Sequence, residues 1–79
     1  MNPHFVSLVL GLAQQAEAAL AAEPKDQADG RAVARTLIDT LAMLAEKTQG
    51  HLDPEEQRLL DQTLTALRFR FVRATAGRS

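Results

Sequence analysis

The residues best equipped for chemistry sit near the middle of the chain, where His51, Asp53, Glu55 and Glu56 bring one imidazole and three carboxylates close together. Such a set could ligate a divalent metal or exchange protons with a substrate. The surroundings argue against both. The other imidazole is His4, far off in sequence, and there is no cysteine and no pair of histidines one helical turn apart. No nucleophile–base pair and no glycine-rich phosphate loop is legible either. We therefore expect no catalytic residue, no metal and no cofactor. A second group, Arg68-Phe69-Arg70-Phe71-Val72-Arg73, mixes guanidinium and apolar side chains as a nucleic-acid surface does. Its place has a simpler explanation, because cations are favoured at the end of a helix and acids such as Asp53, Glu55 and Glu56 at its start. The net charge of −1 also speaks against phosphate binding as the main task. A nucleic-acid-associated accessory role using this basic end stands as the alternative to the reading developed below.

A chain of 79 residues forms one small domain. Folding at this size buries only about 60% of the unfolded chain's surface, so an isolated core is marginal. Disulfides, metals or oligomerisation usually make up the difference. With no cysteine and two histidines, self-association or another protein partner is the expected supplement. The lack of cysteine also fits a reducing compartment. Phe5 to Ala13 is apolar, but no Lys or Arg precedes it as in a secretory leader. The run is also far short of the roughly 20 residues that span a bilayer. The expectation is a soluble, cytoplasmic protein without a membrane segment.

All hydrophobic periodicity is helical. Helix 1 is predicted over about residues 3–22, with Asn2 as N-cap and Pro3 at the first position, where a missing N–H costs nothing. Glu23-Pro24 ends it, since the residue before a proline avoids helical geometry. Residues 23–29 form a polar loop. Helix 2 is predicted over 30–49 with Asp29 as N-cap and a core stripe of Val33, Leu37, Leu41 and Leu44, flanked by Ala34, Ile38 and Ala45. Gly50 stands where a left-handed terminating residue is wanted. Asp53-Pro54-Glu55-Glu56 then reads as a capping box opening helix 3, over 54–76, with Leu60, Leu64, Leu67, Phe71 and Ala74 on one side. The short turn from Gln49 to Leu52 makes helices 2 and 3 an antiparallel hairpin. The predicted fold is all-α: that hairpin with helix 1 packed across it, dimerising.

Several of these residues match a known pattern. They are Phe5 through Ala16, Ala34-Arg35, Ile38-Asp39, Leu41, Met43-Leu44, Glu46-Lys47-Thr48, Gly50, Leu52, Glu55-Glu56, Leu59-Leu60, Leu67-Arg68 and Phe71-Val72. In these the chain resembles the bacterial family known as domain of unknown function 1844. The resemblance implies a helical fold and a bacterial cytoplasmic setting, and it brings no activity with it.

Helix 1 is more apolar than an ordinary amphipathic helix. Its large side chains spread over about 200° of the circumference, where one core-facing stripe needs about 100°. Phe5, Val9 and Leu12 are assigned to the core, leaving Val6 and Leu10 as candidate contacts with a homodimer partner or another protein. Gly11, in a helix interior, is a candidate for close approach of another helix. Met43, Phe69 and Val72 lie outside the main stripes of their helices and complete the candidate interface. Asp39 and Glu46 share one side of helix 2, and Arg68 is placed to reach them across the hairpin as a structural clasp.

Overall fold

The computed structural model describes residues 1–21, 25 and 27–76, and these form three helices: α1 (Pro3–Leu20), α2 (Gln27–Lys47) and α3 (Pro54–Ala76). The fold is all-α. The caps explain why the helices start where they do. The Asn2 side chain accepts from the N–H groups of His4 at 2.8 Å and Phe5 at 3.4 Å, satisfying donors that a helix start leaves orphaned. α2 begins at Gln27, so Asp29 lies within its first turn and is not its N-cap. An acid is favoured in both places by the partial positive charge of a helix start, which makes the two hard to tell apart from residue type. The expected end of helix 1 at Ala22, and Glu23, Pro24 and Asp26 of the predicted loop, lie outside the described residues.

The turn between α2 and α3 follows its predicted chemistry. The backbone N–H and the hydroxyl of Thr48 both donate to the Leu44 carbonyl, at 3.0 and 2.7 Å, closing α2 at Lys47. Gly50 then takes a φ of 83°, the left-handed conformation that favours glycine. At the start of α3 the capping box closes in both directions: Asp53 accepts from the Glu56 N–H at 2.8 Å, and Glu56 accepts from the Asp53 N–H at 3.0 Å.

α2 runs antiparallel to both other helices, while α1 and α3 are parallel. Asn2 meets Glu56 at one end, and Glu17 and Leu20 meet Phe69, Arg70 and Arg73 towards the other. α1 thus lies along the hairpin and does not cross it, giving a rod of 40 × 19 × 16 Å. Its broadest contact is with α2. The core is built from Val9, Ala13 and Ala16 of α1, Ala34, Ile38 and Leu41 of α2, and Leu60, Leu64 and Leu67 of α3. Phe5 and Leu12 pack against it, as expected, but the stripe of α2 is turned by one residue from the prediction. Ala34 and Ile38 point inward, Leu37 and Leu44 fall on the shoulder, and Val33 is 50% exposed. Small side chains facing the core at Ala16 and Ala34 let α1 and α2 approach closely, and that contact takes the place of the larger Val33.

Candidate functional site

Three surfaces run lengthwise between the helices, and their chemistry differs. The α2–α3 surface is charged: Arg35, Asp39 and Arg68 surround Ile38, Phe71 and Val72 in a shallow depression. The α1–α3 surface is mixed. Leu10, Ala13 and Glu17 face Leu59, Gln62 and Ala66. The same groove continues past Leu20 to Phe69, Arg70 and Arg73. The α1–α2 surface follows from these two. Leu10 marks the flank of α1 that faces α3, so Leu8, on the other side of Val9, is on the flank away from it. On α2, Asp39 marks the flank facing α3, so Leu37, on the other side of Ile38, is likewise turned away. The outer α1–α2 surface therefore carries Leu8, Leu12, Gln15 and Ala19 on one helix and Val33, Leu37, Thr40 and Leu44 on the other, with no ionisable side chain in either series.

The predicted interface residues do not converge on a single surface. Leu10 is 44% exposed and belongs with half-buried Val6 to the α1–α3 side. Phe69, 61% exposed, lies further along that groove, with the Arg73 guanidinium 5.6 Å from its ring centre. Met43 is exposed on the outside of α2, and exposed Val72 belongs to the charged α2–α3 depression. A side chain added at Gly11 would meet nothing within 4 Å, so no helix of this chain approaches it closely. Within the helices, Leu8 and Val33 are the large exposed apolar residues that the predicted interface left out, beside Met1 ahead of α1. Their signal was present in the sequence, since 8-12-15-19 and 33-37-40-44 share the 4-3-4 spacing of a helix seam.

The predicted clasp is not formed. Arg68 and Asp39 line the same depression, but among the described residues no ion pair joins Asp39, Glu46 and Arg68. Glu46 lies two turns further along α2, towards the interhelical turn. An exposed pair gains at most about 1 kcal/mol and must hold two flexible side chains still, so solvation competes on equal terms.

The carboxylates near His51 are engaged in structure. Asp53 is held below its usual carboxylate range, chiefly by the Glu56 N–H. Partial burial opposes the shift, and the Met1 ammonium at 3.5 Å and the Glu55 N–H assist it. Glu56, only 8% exposed, accepts at 2.8 Å from the Asn2 N–H, so one side chain joins the starts of α1 and α3. Among the described residues no group of three His, Cys, Asp or Glu is disposed to hold a metal ion, and no helix is long and apolar enough to cross a membrane.

A family model for a domain of unknown function (DUF1844) matches residues 2–73. The chain belongs to that family. In this DUF1844 chain the match takes in all of α1 and α2, the capped turn and most of α3, ending at Arg73. No curated protein and no solved structure matches it.

Proposed function

We propose that this chain is a non-catalytic helical interaction module that binds a second copy of itself, with α1 as the principal associating helix. The triplet Leu8-Val9-Leu10 carries the reading. Val9 is fully buried, while its two neighbours stay 49% and 44% exposed on opposite flanks. A helix that served only its own chain's core would carry polar residues on both flanks. Exposed apolar surface of this kind is characteristic of an association site. The cysteine-free composition supports a reducing setting, and we place the module in the bacterial cytoplasm.

Light scattering over a thousandfold range of protein concentration tests this. The expected result is a mass twice the 8.6 kDa of one chain, falling towards the monomer only at the dilute end. A monomer throughout would exclude homotypic association.

A second reading rests on Phe69, which is exposed beside Arg70 and Arg73 at the far end of α3. It makes this end a nucleic-acid-binding patch. Two features weaken it: Arg68 turns to the opposite flank, beside Asp39, and Glu17 lies among the remaining cations. Titration with single- and double-stranded nucleic acid at two salt concentrations decides the matter. Phosphate contacts would make binding fall steeply with salt. Failure to bind at low salt would end this alternative.

A further inference from the structure

We propose that the outer α1–α2 surface is the face that meets the second copy, each copy's α1–α2 layer covering the other's so that four helices share a core and the two α3 helices lie outside. This rests on the self-association reading above and names its surface and occupant.

Charge selects this surface from the three. The α2–α3 depression carries Arg35, Asp39 and Arg68, and the α1–α3 groove carries Glu17, Arg70 and Arg73. Between α1 and α2, two seams of four residues present no charge, with Leu8 49% and Val33 50% exposed and Leu12, Leu37 and Leu44 half-buried behind them. Charge is depleted at the centres of protein interfaces. An uncharged strip is also compatible with its own copy, whereas a strip of one sign would repel it. Spacing supports the same arrangement, because 4-3-4 seams on an antiparallel pair can interdigitate with the same seams on a second pair.

A second copy is thus the occupant whose charge and seam spacing the surface fits.

The test compares two double variants of the full chain by light scattering, with far-UV circular dichroism to follow helicity. Leu8→Gln with Val33→Gln alters the proposed face, and Leu10→Gln with Phe69→Gln alters the α1–α3 groove. All four positions are exposed and glutamine is a good helix former, so the folds are expected to persist. The first variant should weaken dimerisation by at least about 100-fold, because four apolar side chains per dimer lose their burial. The second should leave the dissociation constant within about threefold of the original, the scatter expected of exposed substitutions.

The unaltered chain supplies a check free of any folding effect. On dilution through the dissociation range, methyl resonances of Leu8, Leu12, Val33 and Leu37 should shift while those of Leu10 stay in place. Loss of dimer in the second variant alone, or dilution shifts confined to Leu10, would overturn the surface and leave self-association standing. If both variants dissociate, the methyl shifts of the unaltered chain decide between the faces. A chain that is monomeric at every concentration would overturn the surface and the self-association reading together, and would leave a different protein as the occupant.

Discussion

At Glu56 one carboxylate accepts the Asp53 N–H at 3.0 Å and the Asn2 N–H at 2.8 Å, and the side chain is 8% exposed. Removing it leaves two partly buried backbone donors without their acceptor. Glu56→Ala should therefore cost about 1–3 kcal/mol in urea unfolding, and Glu56→Gln, which keeps an acceptor oxygen, should cost less. Asp53 adds a pH dependence whose sign is defined. Its folded pKa lies below the ordinary value of about 3.9, so as acid is added the unfolded chain takes up this proton first. The stability due to Asp53 is complete above that value and is lost as pH falls through the lower, folded one. Thermal unfolding of Asp53→Asn against the original chain at pH 7 and pH 3 checks it: the difference between them should narrow at pH 3. The capping box was legible in the sequence because its partners are three positions apart. The reach of Glu56 to Asn2 was not, because no local spacing signals a bond between residues 54 apart.

Each helix was legible from its period and caps, but the face it turns inward was less so. On α2 two apolar series lie one position apart, 33-37-41-44 and 34-38-41-45, and hydrophobicity alone does not rank them. Side-chain size does: α1 brings the fully buried Ala16 to the core, and the close approach it permits suits Ala34 at 0% exposure better than Val33. The two helical punctuation glycines make opposite predictions. Gly50, at φ 83°, should cost about 1–2 kcal/mol on replacement by Ala, because an L side chain is strained there. Gly11 lies inside α1 with open space where a side chain would go, and Gly11→Ala should add about 0.5–1 kcal/mol. Thermal or urea unfolding of the two single variants measures both. If Gly11→Ala instead abolished the dimer, another chain's helix would have to lie against that face of α1.

Over the whole molecule, charge differs by helix pair: the α2–α3 face is charged, the α1–α3 groove mixes Leu10 and Phe69 with Glu17, Arg70 and Arg73, and the α1–α2 seams carry no charge. Salt therefore separates the two proposed modes of binding. Raising it from 50 to about 500 mM should leave the dimer dissociation constant nearly unchanged, because the proposed face holds no ions to screen. The same change would abolish contacts made by Arg70 and Arg73 to phosphate. Sedimentation equilibrium at both salt concentrations reads the first of these directly. The broad apolar arc of α1 was visible in the sequence. Which part of it stays exposed was not, since that depends on where α2 and α3 finally lie.

That arc has a mechanical consequence. α1 carries one apolar series through Phe5, Val9, Leu12 and Ala16, a second through Leu8, Leu12 and Ala19, and a third through Val6, Leu10 and Ala13. A roll of α1 about its long axis would carry Gln15 of the second series or Glu17, next to the third, towards the core. The Glu56–Asn2 hydrogen bond is directional, and it sits at the end of α1, where a roll would carry the Asn2 N–H away from its acceptor. One carboxylate thus adds a directional restraint to the setting in which Val9 is buried and Leu8 and Leu10 turn outward.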